Sequence, residues 1–106
     1  MKTTGAVHFE RDQPARIEEF DLDLPREEEV LVRIVASGVC ASDLHVVEGW
    51  MAHFPPPVVL GHEVSGVVEK IGSRVKDFQP GDHVILSAMG FCGNCRGCIA
   101  GERCTN

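Results

Sequence analysis

The chain has 106 residues, a formal charge of −6 and five cysteines, with 43% apolar and 25% charged residues. The acidic balance argues against a nucleic-acid partner, whose sequence-independent binding needs clustered Lys and Arg. The composition is that of a folded chain. The length fits one domain with a modest core, burying about 65% of its unfolded surface, and leaves no room for a βαβ coenzyme-binding unit.

No run approaches the roughly 20 apolar residues of a membrane span. The first residues lack the apolar core of a signal peptide. A cytoplasmic setting is therefore expected, where disulfides are rare.

In chain order, residues 6–9 read as a short strand. Residues 16–20 read as a second, after a polar turn at Pro14. Glu27-Glu28-Glu29 reads as a solvated turn. Residues 30–36 are rich in branched side chains, and Val30, Val32, Ile34 and Ala36 share one face by two-residue alternation. Ser42 and Asp43 can cap a short helix beginning near Leu44. Residues 64–72 are a further strand, with glycines suited to a bulge or bend. Gln79-Pro80-Gly81-Asp82 is a turn, since Pro fixes φ and Gly admits positive φ. Residues 83–86 are the strand that leaves it. The expected class is mainly β, an antiparallel barrel or sandwich. From Gly90 onward the chain is rich in Gly and Cys and needs a metal to hold it.

Four cysteines make that metal plausible. Cys92, Cys95, Cys98 and Cys104 follow Cys-x2-Cys-x2-Cys-x5-Cys. Gly93 and Gly97 give the loop backbone freedom. Four thiolates complete a closed tetrahedral zinc site with no open position. Cys-x2-Cys-x2-Cys also opens iron–sulfur runs, but Cys104 comes late for that pattern and no Pro follows it. Unmetallated thiols are the third reading. Arg96 and Arg103 are placed to soften the residual negative charge.

A second constellation lies upstream. Cys40, Ser42, Asp43 and His45 fall in one block, and His62 and Glu63 about twenty residues later. A catalytic zinc takes about three protein ligands and keeps one position open. Cys40 and His62 can be two of them, with Asp43 orienting the imidazole through its other ring nitrogen. Singly, each residue has an ordinary structural reading. Together they suggest a site. His8, His53 and His83 read as surface or packing residues.

Gly61-His62-Glu63-Val64-Ser65-Gly66, with Gly72 and Val75 after it, resembles the signature of the zinc-containing alcohol dehydrogenases of the medium-chain dehydrogenase/reductase superfamily. Gly38-x-Cys40-x-Ser42-Asp43-x-His45 and Pro80-Gly81-Asp82-His83-Val84 resemble two further blocks in the same order. The four-cysteine segment resembles that family's structural zinc lobe. The likeness runs from about residue 6 to residue 106.

The resemblance implies a GroES-like β-barrel-type catalytic domain over residues 1–106, with a structural zinc lobe at 90–106. It implies that Cys40 and His62 bind a catalytic zinc, that Glu63 exchanges as a ligand, and that Asp43 supports His62. Ser42 would take the alcohol proton, and His45 would pass it toward solvent by way of coenzyme hydroxyls. The implied reaction interconverts small-molecule alcohols with aldehydes or ketones, with NAD or NADP as hydride carrier. The implied full-length enzyme is a homo-oligomer.

Three departures stand out. The family's third catalytic ligand falls beyond residue 106, no Gly-x-Gly-x-x-Gly follows a strand, and the Cys98–Cys104 gap is shorter than usual. These residues alone are therefore expected to be inactive. Ala88 stands where many members carry an aromatic, and Trp50, Met51 and Phe54 are candidate pocket residues. The rival reading is a non-catalytic zinc-binding structural or adaptor module, which leaves Ser42, Asp43, His45 and Glu63 without a task.

Overall fold

The computed structural model describes residues 1–105. Six strands and two short helices follow in order: β1 (Lys2–His8), β2 (Arg16–Asp21), β3 (Val30–Gly38), α1 (Ala41–Val47), β4 (Val58–Val59), β5 (Glu63–Ile71), β6 (His83–Leu86) and α2 (Arg96–Ala100). They form two three-stranded sheets, ordered β2-β1-β4 and β3-β5-β6. Every pairing is antiparallel. Among the described residues no helix is long and apolar enough to cross a membrane.

The first hairpin pairs Lys2 with Asp21 at one end and Val7 with Arg16 at the other. Its turn carries Asp12 at φ 59°, a conformation that Asp tolerates better than most residues. Asp12 N–H donates to the carbonyl of Val47 at 2.9 Å, tying this hairpin to the end of α1.

In the second sheet the Pro80-Gly81 turn does what its composition suggests. Gly81 lies at φ 100°. Gln79 N–H donates to Asp82 Oδ2 at 2.9 Å, and Gly81 N–H donates to the Val68 carbonyl at 2.8 Å. This delivers β6 antiparallel onto β5, with Val64 opposite Leu86 and Val67 opposite His83.

The face expected on β3 holds for Val30, Val32 and Ile34, which line one cavity, while Ala36 does not join them. The register shifts between Leu31 and Val32 and again between Ile34 and Ala36. Leu31 is the buried side chain at 8% exposure, whereas Val30 and Ile34 are 37% and 51% exposed. Val30, Val32 and Ile34 open onto a cavity of about 550 Å³ shared with Leu22, Phe78 and Ile85.

The core is correspondingly small: Val7, Leu31, Val68 and Cys98 are its buried apolar residues. The accessible surface is 8245 Å², against about 5,800 Å² for a close-packed monomer of this mass. About half of the unfolded surface is buried, short of the expected 65%. His8 is buried at 1% exposure, in keeping with a packing role, and its Nδ1 has no hydrogen-bond partner.

The strand β4 and the helix α2 escape the sequence reading, and the helix expected near Leu44 is found with an earlier start. The helix after β3 starts at Ala41 with Cys40 as its N-cap residue, three positions earlier than Leu44. The two-residue strand β4 pairs with β1, His8 opposite Val58.

Candidate metal centres

The β3–β5 pairing assembles the first centre. Gly38 at the end of β3 stands opposite Glu63 at the start of β5. Cys40 follows the one strand and His62 precedes the other, so residues 22 positions apart in sequence become neighbours. Cys Sγ, an imidazole nitrogen and a carboxylate oxygen from Cys40, His62 and Glu63 all lie within 4.8 Å of one another.

Asp43, in the first turn of α1, stitches the two segments together. Its Oδ2 accepts the Cys40 backbone N–H at 3.0 Å, the half of a capping box that reaches back to the N-cap. Its Oδ1 accepts Gly61 N–H at 3.2 Å and faces His62 Nδ1 at 3.2 Å. Gly61 reaches that position at φ 110°, which side-chain-bearing residues rarely adopt. An ionised carboxylate only accepts, so the shared proton sits on Nδ1 and the Nε2 lone pair points away from Asp43. On the Nε2 side Ser42 Oγ lies 3.2 Å away. The same hydroxyl is 3.1 Å from Cys40 Sγ.

These contacts bias the titrations. The Ser42 hydroxyl, then the Ser42 backbone N–H and His62, hold the Cys40 thiol below its ordinary value, against the opposing effect of burial. Cys40 in turn raises the imidazole of His62, helped by the charge of Asp43 and opposed by burial. The lowered thiol is ready to ligate as a thiolate, whereas the raised imidazole must give up its Nε2 proton before it can hold a cation, so metal binding at this centre is coupled to proton release.

His45 stands one helical turn beyond Ser42, on the same face of α1. It is exposed and stacks on Trp50, ring centroids 6.1 Å apart. Among the described residues no hydrogen bond joins Ser42 to His45. A cavity of about 340 Å³ adjoins the centre, lined by Gly38, His62, Glu63, Val64, Ile85 and Leu86 among others. Trp50, Met51, Phe54 and Ala88 do not line it; Trp50 is 78% exposed.

The second centre is the cysteine lobe. Sγ atoms of Cys92, Cys95, Cys98 and Cys104 all lie within 4.8 Å of one another. The Cys92–Cys98 and Cys95–Cys104 separations are both 3.9 Å. Tetrahedral zinc with bonds of about 2.3 Å sets its sulfurs about 3.8 Å apart, so the donor set fits that ion.

Backbone amides prepare the thiolates: Cys95 N–H donates to Cys92 Sγ and Cys98 N–H to Cys95 Sγ, each at 3.4 Å. The Thr105 N–H, then the Cys98 N–H, bring the Cys95 thiol down to about 5. Burial pushes Cys98 up to about 11, so closing this site on a cation expels a proton from its buried corner.

The short Cys98–Cys104 gap closes through Gly101, a left-handed C-cap at φ 72°. Glu102 N–H then donates to the Gly97 carbonyl at 2.7 Å, turning the chain back within five residues. Gly93 does supply a positive φ of 75°. Gly97 serves differently. It lies in α2, where a Cβ would strike the Arg103 carbonyl oxygen.

Fold and site together define a small antiparallel β protein that presents two clusters of side chains able to hold a metal ion. The chain belongs to the Alcohol dehydrogenase GroES-like domain family, whose pattern matches residues 26–105. It is 45% identical over 103 residues to alcohol dehydrogenase B of Mycobacterium tuberculosis, covering 97% of this chain and 28% of that protein. Among solved structures, the alcohol dehydrogenase zinc-binding domain protein from Burkholderia ambifaria superposes with a TM-score of 0.87 at 44% identity, covering 95% of this chain and 27% of that one. Benzyl alcohol dehydrogenase from Acinetobacter calcoaceticus gives a TM-score of 0.88 at 39% identity, with 94% and 27% covered. The mainly β, GroES-like class is thus established. The chain spans little more than a quarter of the length of these relatives.

Proposed function

We propose that residues 1–106 furnish the catalytic-metal domain of a zinc-dependent alcohol dehydrogenase, and that coenzyme is bound by sequence outside them. The observation that carries this reading is the convergence of Cys40, His62 and Glu63 within 4.8 Å, with Asp43 fixing the imidazole tautomer. A thiolate, an imidazole and a carboxylate beside an adjoining cavity are a donor set for zinc with a position left for substrate. Cys92, Cys95, Cys98 and Cys104 would hold a second, structural zinc.

When bound at the first centre, zinc supplies Lewis acidity that acidifies a hydroxyl in one direction and polarises a carbonyl in the other, while NAD or NADP carries the hydride. The chain's own residues do the rest. Cys40 and His62 anchor the cation, and Glu63 stands ready to join or leave the ligand set. Ser42 Oγ, between Sγ and Nε2, takes the proton that the alcohol releases. His45, exposed one turn on and not hydrogen-bonded to Ser42, would receive it by way of coenzyme hydroxyls and hand it to solvent. Val64, Ile85 and Leu86 present apolar surface to the organic part of the substrate. A cytoplasmic compartment and assembly as a homo-oligomer complete the proposal.

Metal analysis with an alcohol-oxidation assay tests it. The 106 residues are expected to retain about one zinc firmly in the cysteine lobe and to show no coenzyme-dependent turnover. In a full-length form, Cys40→Ser and His62→Ala are expected to abolish turnover while leaving the lobe's zinc in place. Turnover undiminished by both substitutions would favour a non-catalytic role for this centre.

A further inference from the structure

A Cβ built on Gly38 would lie 2.6 Å from Glu63 Oε2, 3.2 Å from Glu63 Cβ and 3.7 Å from Glu63 Cδ. All three nearest atoms belong to one side chain. The Glu63 carboxylate is therefore folded back over the bare backbone of Gly38, its cross-strand partner, and in that pose offers an oxygen to Cys40 and His62. Backbone conformation does not explain the glycine, because Gly38 is not among the positive-φ glycines. A paired strand position gains nothing from glycine either, since it has no side chain to pack and loses more entropy on folding.

We infer that Gly38 is a positioning residue for the Cys40–His62–Glu63 centre, its missing side chain being the space in which the carboxylate lies. The inference rests on reading that centre as a metal site. Two effects of a methyl group at position 38 compete. It could loosen the β3–β5 pairing, or it could turn the carboxylate aside. The clash is worst at Oε2, the far end of a flexible side chain, and milder at Glu63 Cβ. The side chain therefore rotates away while the strands stay paired. A substitution here changes the ligand set and spares the fold.

The test titrates Co(II) into a full-length form after its cysteine lobe has been filled with one equivalent of zinc. The absorption that Cys40→Ser removes reports on this centre. Gly38→Ala and Glu63→Ala are each expected to weaken Co(II) binding at least about tenfold, in the range seen when metal-orienting groups are lost. The double variant should bind no more weakly than Glu63→Ala alone, because the methyl then has no carboxylate to displace. The thermal midpoint of metal-free Gly38→Ala should equal or exceed that of the unsubstituted chain. Unchanged affinity in Gly38→Ala would overturn the inference, as would an equal loss on the Glu63→Ala background. If the unsubstituted chain itself gives no Cys40-dependent absorption, the metal reading is at fault, and the role of Gly38 falls with it.

Discussion

Asp43 makes three contacts with two oxygens, and each constrains the same centre: the Cys40 amide, the Gly61 amide and His62 Nδ1. Asp43→Asn keeps the shape but offers an amide that can donate where the carboxylate only accepted. The imidazole then loses its reason to keep the proton on Nδ1. Metal affinity at this centre should fall about 10–100-fold, read by competition with a chromophoric chelator, while the zinc of the cysteine lobe stays in place. A second expectation concerns Cys40. Its thiol is held below the ordinary 9.0, so folding stabilises the thiolate; that contribution is present above about pH 9 and fades as pH falls through the folded value. In the metal-free chain, iodoacetamide should label Cys40 at pH values where an unfolded thiol is inert. Ser42→Ala removes the largest cause and should move the labelling midpoint upward, as peptide mapping across pH would show. The donors at this scale were legible because few residue types bind a soft divalent ion and these came in closely spaced blocks. The Gly38–Glu63 contact was not legible, because it depends on which residues a shifted register sets opposite one another.

At the scale of elements, turn chemistry was more readable than burial. Pro80-Gly81 placed its turn, and the strands at 16–20, 64–72 and 83–86 stand within a residue or so of their observed bounds. On β3 alternation gave the face shared by Val30, Val32 and Ile34 but not how exposed that face is, and Ala36 falls beyond a register shift. The α2 helix was invisible for another reason. Five residues with one candidate metal ligand, Cys98, and two small residues, Gly97 and Ala100, carry no amphipathic period. Gly97 shows the consequence. The hydrogen it carries in place of a Cβ marks where the Arg103 carbonyl packs, and Cys104 Sγ then lies 3.9 Å from Cys95 Sγ. Gly97→Ala should push the 102–104 segment outward and withdraw one thiolate. The Co(II)-loaded lobe should then lose part of its sulfur-to-metal charge-transfer absorption and yield its metal to a weaker chelator. Backbone circular dichroism from the two sheets should hold, since neither sheet includes the lobe.

Over the whole molecule, a Cα radius of gyration of 15.3 Å, against about 13 Å for a compact domain of this length, matches the excess of exposed surface. Two three-stranded sheets leave apolar faces that nothing within the described residues covers, with Ile85 87%, Val35 64% and Ile34 51% exposed. Stability must then come from a few buried positions and from metal. This separates two substitutions of similar chemistry. Leu31→Ala removes a buried side chain and should cost about 2–5 kcal/mol. Ile85→Ala removes one that water already reaches and should stay within about 0.5 kcal/mol. For a domain of this size 1 kcal/mol shifts the thermal midpoint by about 4–8 °C, so zinc-loaded variants compared by thermal unfolding should differ by at least about 6 °C. Because the β3–β5–β6 face is open, Ile85→Lys should also reduce binding of a hydrophobic dye without lowering the midpoint. Equal losses from Leu31→Ala and Ile85→Ala would mean that this face is covered in solution. A midpoint that rises with protein concentration would then identify a second copy of the chain as the cover, since mass action stabilises whatever state binds.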